Sequence, residues 1–318
     1  MNISLPLNDL INSSTVSVSH RDTVLVVVES TVFLILNIGA FVGNLLVCLA
    51  IYRNPSLRTV TNNFILSLAL TDLLMAVFVM PVYTVSSMLD KWIVGKDFSH
   101  VIFWCLNSAS FISILNVTLL AINRYFRVVR PQIYSNIYSK KSSAMMAIVT
   151  WVVTLVLVGL IYVALGVRYE TSELNPTLKK LIILDGGSLI YSMILSILYV
   201  IVPIFVISIC YVKIYKTIRH HNRAGAPSTQ EGNSAYGVAE AKITRLLTAV
   251  VIVFCLCWYP GLIITTLDIF NLLPSATTKY LVSMCLFPLF TSSVINPILY
   301  GFLNQSFRSE FFKILRLQ

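Results

Sequence analysis

Charge is the scarcest property of this sequence. Only 11 % of its 318 residues are Asp, Glu, Lys or Arg, against 57 % hydrophobic. An ordinary soluble domain carries about 25 % charged residues, and a water-facing surface cannot be built from so few. The same apolar content excludes a disordered chain. Gly, at 12 residues, is too rare for a collagen repeat. Cysteine is sparse too: all six lie within apolar stretches. None is expected in a structural disulfide, which excludes a stapled secreted scaffold. His20, His100, His220 and His221 are scattered and offer no metal-ligand cluster, so no enzyme activity is expected. Met1–Arg21 lacks a basic start and an early apolar core. A cleaved signal peptide is therefore not expected, and the first apolar run should serve as its own signal.

What the sequence does have is seven long apolar stretches. A hydrocarbon core about 30 Å thick needs roughly 20 apolar residues per helix. Val24–Tyr52, Thr59–Leu89, Phe98–Asn123, Ser142–Val167, Gly186–Val212, Leu246–Leu267 and Tyr280–Leu303 each reach that length, and only Glu29 and Asp72 within them are charged. Each run is continuous in apolarity rather than alternating, which predicts helices and not barrel strands. No six-span repeat and no pair of half-length helices is visible, so a transporter finds little support. The expectation is an all-α, seven-transmembrane helix bundle over 24–303, between an extracellular segment 1–23 and a tail 304–318.

Direction follows from Lys and Arg. Most of the 23 basic residues fall at one side: Arg53 and Arg58, Arg124 to Lys141, Lys213 to Arg245, and Arg308 to Arg316. The acids there are Glu231, Glu240 and Glu310. That side should be cytoplasmic, with the N-terminus outside and the plasma membrane as location. The net charge of +10 then reflects topology and attraction to anionic lipid, and no nucleic acid is needed as partner. Asn2-Ile3-Ser4 and Asn12-Ser13-Ser14 are outward-lying sequons, making Asn2 and Asn12 glycosylation candidates. Asn116-Val117-Thr118, inside the third span, shows that such tripeptides also arise by chance. After Leu303, Phe307, Phe311, Phe312 and Leu315 oppose Arg308, Lys313 and Arg316. That pattern predicts a short amphipathic helix lying on the inner leaflet of the lipid bilayer.

A set of polar residues, prolines and aromatics recurs at defined places in these spans. They are Gly43-Asn44, Leu68-Ala69-Leu70-Thr71-Asp72, Asn123-Arg124-Tyr125, Trp151, Pro203 with Tyr211, Phe254 with Cys257-Trp258-Tyr259-Pro260, and Asn296-Pro297-Ile298-Leu299-Tyr300. In this order the chain resembles a rhodopsin-like (class A) G-protein-coupled receptor over nearly its whole length. Asn123-Arg124-Tyr125 and Tyr300-Gly301-Phe302-Leu303-Asn304-Gln305-Ser306-Phe307-Arg308 also look similar to melatonin receptors. The resemblance implies an extracellular ligand and a heterotrimeric G protein as partners, with no covalent cofactor.

Asp72 lies mid-membrane, where a carboxylate is a functional candidate by default. It either takes up a proton and hydrogen-bonds helices together, or keeps its charge with a cation. The resemblance implies the second: a sodium pocket with Asn44, Ser113 and Asn296, the ion acting as allosteric modulator. Ser292, where many relatives carry Asn, leaves that pocket one amide short. Arg124 sits where the third span meets the cytoplasm and is either a snorkelling Arg or a switch held at rest by the foot of helix six. Glu240 is a suitable counter-charge, or an acid complementing a helix N-terminus. The usual acid before the Arg is Asn123 here, which removes one restraint. By resemblance, Tyr125, Tyr211, Pro297 and Tyr300 complete the coupling region, and Ile114, Pro203 and Phe254 form a packed connector. Pro260 and Pro297 break the helical backbone ladder and supply pivots.

By the same resemblance the ligand pocket is lined by Leu106, Asn107, Ser110, Ser196, Tyr199, Trp258, Leu262, Thr265 and Phe290. The Asp that binds protonated amines in relatives falls at Leu106, and the Lys that carries retinal falls at Phe290. An amine would lack a buried counter-ion, and no Schiff base can form. The expected ligand is a neutral amphipathic small molecule, with a peptide as the alternative. The family's outer disulfide is missing: its helix-three position is Ser99, and Arg168–Asp185 contains no Cys. The second outer loop must be held by other means.

Overall fold

The computed structural model describes residues 22–89, 91–164, 168–171, 179–182, 193–223, 244, 248–261, 263–264, 267, 272 and 275–316. Six of its helices are long and apolar enough to cross a membrane: α1 (Thr23–Arg53), α2 (Val60–Met88), α3 (Lys96–Val129), α4 (Lys140–Ala164), α5 (Met193–His220) and α7, whose apolar part is Met284–Leu303. Between α5 and α7 lies a shorter apolar helix, α6 (Thr248–Gly261). The whole of α7 spans Ser275–Leu303, and α8 (Gln305–Ile314) follows it. These helices occupy the seven predicted spans and the predicted amphipathic tail. α3 runs on past Asn123, the expected end of its span, to Val129, and a separate short helix, Pro131–Ile137, joins it to α4. One departure from pure helix is an antiparallel hairpin between α4 and α5: β1 (Arg168–Thr171) and β2 (Lys179–Ile182), with Arg168 opposite Ile182 and Thr171 opposite Lys179.

Local chemistry sets where the helices begin and bend. The Asp22 carboxylate accepts from the Val24 amide and starts α1, while Arg53 in the last turn complements the dipole. Thr59 caps α2 through the Asn62 amide. Asn304 ends α7 and starts α8 by accepting from the Ser306 and Phe307 amides. A wide π turn, Met75–Val79, precedes Pro81 in α2. A second, Ile197–Ile201, precedes Pro203 in α5. Proline lacks the N–H and crowds the preceding turn, and a widened turn accommodates both defects. α7 contains Pro288 and Pro297 within its run.

Burial is inverted relative to a soluble protein. Large apolar side chains such as Ile35, Val149, Leu160, Phe205 and Leu256 face outward, where lipid tails replace water. Polar groups turn inward: Asn44, Asp72, Ser108, Ser113, Asn116, Asn123, Arg124 and Asn296 are all buried. α3 runs through the middle and carries most of them. Helices are joined by hydrogen bonds across these buried faces, as expected where no hydrophobic force separates helix from lipid. The Trp151 indole N–H donates to Ser67 Oγ at 2.9 Å, tying α4 to α2. The Asn63 amide donates to the Lys140 carbonyl and to Ser143 Oγ, both at 2.8 Å.

Among the described residues the apolar core falls into three clusters stacked along the bundle. One, toward the start of α1, holds Phe33, Met80, Tyr83, Phe103 and Phe290. The middle one holds Ile114, Tyr199, Phe254 and Trp258. The third, at the end rich in Lys and Arg, holds Phe64, Leu120, Tyr300 and Phe307. All six cysteines are free.

Candidate functional site

The expected ligand pocket, in the half of the bundle where α1 starts, is more aromatic and less polar than its residue types suggest. Leu106, Asn107 and Ser196 are half-buried, and Ser110 is buried. The Asn107 amide donates to the Phe103 carbonyl at 2.8 Å, and the Ser110 hydroxyl donates to the Leu106 carbonyl. Each thus caps a carbonyl of its own helix. Tyr199 stacks on Phe111 at 4.3 Å, and Trp258 stacks on Phe254 at 5.1 Å. Leu262 and Thr265 lie outside the described residues.

Phe290 is fully buried and belongs to an aromatic box rather than standing alone. Its ring meets Phe33 at 5.6 Å and Tyr83 at 5.8 Å. Phe33 stacks on Phe287, Tyr83 meets Trp92 edge-on, and Trp92 stacks on Phe103. Sequence reasoning picked out Phe290 and missed the others. The only available signal was the density of aromatics near the ends of four different spans.

The α2–α3 connection is fixed without a disulfide. The Trp92 indole N–H donates to Ser99 Oγ at 2.7 Å, and that hydroxyl donates on to the Gly95 carbonyl at 2.8 Å. His100 and the Tyr162 hydroxyl are hydrogen-bonded as well, joining α3 to α4. Ser99, the position left by the absent cysteine, is therefore the acceptor of a noncovalent tie.

One layer down, Asp72 is buried among neutral donors. The Ser293 hydroxyl donates to Oδ1 at 2.7 Å, and the Asn296 amide donates to Oδ2 at 3.1 Å. The Asn44 amide donates to the Ala40 carbonyl at 2.9 Å and to the Ser293 carbonyl at 2.8 Å. Asn44 Oδ1 is buried and has no hydrogen-bond partner, and Ser113 is buried on α3. The donor set comprises a carboxylate, an amide oxygen left over and hydroxyls, all hard oxygen ligands, and it fits a hard monovalent cation. Ser293 was not foreseen. Ser292 faces elsewhere: it accepts from the Trp258 indole at 3.1 Å and donates to the Leu289 carbonyl at 2.6 Å. The serine that lacks the usual amide thus anchors Trp258, and its neighbour serves Asp72.

α1 and α7 approach closely beside this layer. A Cβ on Gly43 would stand 3.0 Å from Pro297 Cβ and Cγ, so only glycine admits the buried proline there. Gly43 and Pro297 together hold Asn44 against the Ser293 carbonyl. Ile114, Pro203 and Phe254 are buried, and Ile114 and Phe254 share the middle cluster with Trp258.

At the basic end, Arg124 is only 4 % exposed. Its guanidinium donates to Thr61 Oγ1 on α2. The Thr61 hydroxyl donates to Asn123 Oδ1 at 3.1 Å, and the Asn123 amide donates to the Tyr134 hydroxyl at 3.2 Å. The Arg127 guanidinium lies over the Tyr134 ring, 5.0 Å from its centroid. Lys213 of α5 lies 5.6 Å over the Tyr125 ring. Tyr300 is buried against Phe307, with ring centroids 5.7 Å apart, and its hydroxyl has no hydrogen-bond partner. α8 is fixed beneath α7 and α1 by Phe311 against Gly301 and by the Asn54 amide donating to Glu310 Oε1 at 3.3 Å. Glu240, Asn2 and Asn12 lie outside the described residues. Thr61 escaped sequence reasoning because a threonine in the first turn of a helix carries no signal until α2 packs on α3.

Residues 43–300 match the family described as 7 transmembrane receptor (rhodopsin family). The chain belongs to that family and is a multi-pass membrane receptor rather than an enzyme. A histamine H2 receptor from Canis lupus familiaris is 30 % identical over 296 residues, covering 90 % of this chain and 79 % of that one. A melatonin receptor type 1A from Phodopus sungorus is 28 % identical over 277 residues, covering 86 % and 76 %. A melatonin receptor type 1B from Homo sapiens is 27 % identical over 290 residues, covering 90 % and 77 %. The crystal structure of squid rhodopsin is similar with a TM-score of 0.83 at 22 % identity, covering 94 % of this chain and 87 % of that one. At that identity the likeness speaks for the fold alone.

Proposed function

We propose that this receptor converts binding of an extracellular, neutral, amphipathic small molecule into activation of a heterotrimeric G protein at the plasma membrane. The observation that carries the coupling half is Arg124. It is a buried guanidinium at the basic end of the central helix, held by a hydroxyl it can leave. Movement of α6 about Pro260 would open a cavity beside it, and Tyr211 and Tyr300 would turn toward the partner's terminal helix. The receptor contributes no covalent chemistry; it lowers the barrier to nucleotide release by binding one state of its partner more tightly than the other.

The ligand half rests on Leu106 and the aromatic surround. A protonated amine at that position finds no carboxylate among the described lining residues, and burying an unpaired charge costs several kcal/mol. The likeness to histamine H2 receptors favours an amine as the second reading; the lining residues favour a neutral ligand with an aromatic body. Sodium at Asp72 is assigned as a modulator that favours the resting state. The N-terminus lies outside, with Asn2 and Asn12 as glycan sites.

The test reconstitutes purified receptor with purified heterotrimers in lipid nanodiscs and follows uptake of a labelled GTP analogue during a screen of neutral and cationic small molecules. A neutral aromatic compound should drive exchange, and Arg124→Ala should abolish the response while binding survives. Equal exchange by Arg124→Ala at matched receptor density would remove Arg124 from the mechanism. A potent amine response would overturn the ligand assignment.

A further inference from the structure

Hydroxyls inside these helices are mostly spent on their own backbone. Thr71, Thr84, Ser110, Thr118 and Thr150 each donate to the carbonyl four residues back. Asn107, a polar group expected to meet the ligand, is used in the same way on the Phe103 carbonyl. Ser108 and Thr154 are exceptions. Both residues are buried, and among the described residues neither hydroxyl has a hydrogen-bond partner. The buried indole nitrogen of Trp104 also has none. A buried polar group left unpaired carries its full desolvation cost, so three of them in one place call for an explanation.

The three groups fall along one seam. α3 and α4 run antiparallel, with His100 bonded to Tyr162 at the rim. One turn further in, a Cβ on Gly159 would stand 3.3 Å from the Trp104 indole nitrogen. The next turn takes α3 to Ser108 and α4 to the depth of Thr154. Thr154 and Val158 lie on the buried stripe of α4, and Val158 packs with Phe111 and Tyr199. The Tyr199 hydroxyl approaches Thr154 from α5 without closing a hydrogen bond to it. α4 is held unevenly along its length. Its inner half is bonded through Lys140 and Ser143 to Asn63, and through Trp151 to Ser67. Of its described residues beyond Trp151, only Thr154 and Val158 are buried. A small outward shift of that half opens the seam while the inner bonds hold.

We propose that this seam, with Trp104, Ser108 and Thr154, is the subsite that takes the polar end of the ligand, and that this end is a neutral hydrogen-bond acceptor such as a carbonyl oxygen. The inference rests on the reading of the ligand as a neutral amphipathic molecule. An indole N–H can only donate and a hydroxyl can donate, so the three groups offer protons to one acceptor. None of the three is charged, and a carboxylate among them would be buried without a counter-ion. The ligand's aromatic body then lies beside the stacked rings of Phe111 and Tyr199. Bonds made to the acceptor recover what the closed seam leaves unpaired.

The experiment follows thermal unfolding of purified receptor against a panel of neutral aromatic amides, ketones and ethers, each paired with its hydrocarbon isostere, and a set of protonated aryl amines. In wild type the acceptor-bearing member of a pair should bind roughly three- to tenfold more tightly than its isostere, the worth of one neutral hydrogen bond. The double variant Ser108→Ala/Thr154→Val should lose that preference. Without any compound it should unfold at the wild-type temperature or above, because two unpaired buried hydroxyls are gone; a purely structural role for them predicts a lower temperature. Thr154→Ser should keep the preference. Gly159→Ala leaves every polar group in place, crowds the indole N–H and should also weaken the acceptor-bearing compounds, so the idea can still be tested if the double variant does not fold. A preference absent in wild type, or unchanged in both Ser108→Ala/Thr154→Val and Gly159→Ala, overturns the subsite and leaves the neutral-ligand reading standing. Stabilisation by the protonated amines alone overturns the neutral-ligand reading itself.

Discussion

Removing the charge of Asp72 while keeping its shape is the most informative single change in this receptor. The carboxylate receives one hydroxyl and one amide, both neutral, and Asn44, whose amide reaches the Ser293 carbonyl, has a buried oxygen with no donor. A sodium ion in this layer would satisfy the charge and the spare oxygen together. An ion that binds only the folded, resting arrangement stabilises it by RT ln(1 + [Na]/Kd), which is about 1.4 kcal/mol when sodium is tenfold above its Kd. Wild-type receptor in detergent should therefore unfold at a higher temperature in sodium chloride than in an equal concentration of a bulky organic cation chloride. Asp72→Asn should erase the difference. The baseline of that variant also shifts, because an amide turns its own N–H toward one of the two donors and loses one buried hydrogen bond, worth about 1–3 kcal/mol. The ion-specific difference, and not the absolute stability, is the quantity to compare. Once an agonist is in hand, linkage requires that sodium weaken its binding by about 1–3 kcal/mol. Sodium-specific stabilisation of equal size in Asp72→Asn would place the ion elsewhere and leave Asp72 as a hydrogen-bonding acid between helices.

Gly43→Ala should destabilise the bundle by about 1–3 kcal/mol, since its Cβ would meet the rigid ring of Pro297 at 3.0 Å and cannot push it aside; chemical or thermal unfolding of the purified protein checks this. Leu106→Asp should lower folded yield and weaken the native ligand, because it places a charge among apolar side chains. A gain of tight amine binding without loss of the native ligand would refute that reading. Arg124→Ala should keep ligand affinity within about twofold while exchange is lost, since Arg124 acts only when the partner is engaged.

Much of this architecture was legible because the membrane simplifies the problem. Span length, continuity of apolar residues and the bias of Lys and Arg are set by the bilayer itself, and the helices fall where those rules place them. Asp72 and Asn296 were legible for a related reason: few polar groups are tolerated at that depth, so those present find one another. Ser293 was not, because two adjacent serines, Ser292 and Ser293, look alike in sequence. The helical rotation between them sends one to Trp258 and the other to Asp72. Thr61 was hidden for the opposite reason: its chemistry is ordinary, and only the packing of α2 on α3 makes it the neighbour of Arg124. The hairpin of β1 and β2 escaped because a four-residue pairing outside the spans answers to no bilayer rule.

The position on α3 where the family's outer disulfide would attach gives a last test, because Ser99 there is bonded to the connection between α2 and α3. The Trp92 indole stacks on Phe103 with centroids 5.5 Å apart, meets Tyr83 edge-on, and its N–H reaches Ser99 at 2.7 Å. Ser99 is buried, so loss of that donor is not made good by solvent. Trp92→Phe preserves part of the stack and deletes the N–H, which should lower stability by about 0.5–1.5 kcal/mol, the net worth of one hydrogen bond, plus the area lost with the smaller ring. Ser99→Ala removes the same bond from the other side with little loss of area. The two changes made together should therefore cost less than the sum of the two singles. With all six cysteines free, a reducing agent should leave the unfolding transition of wild type and variants unmoved. A transition lowered by reductant, or strictly additive effects of Trp92→Phe and Ser99→Ala, would show that this end of the bundle is held by something other than the Trp92–Ser99 bond.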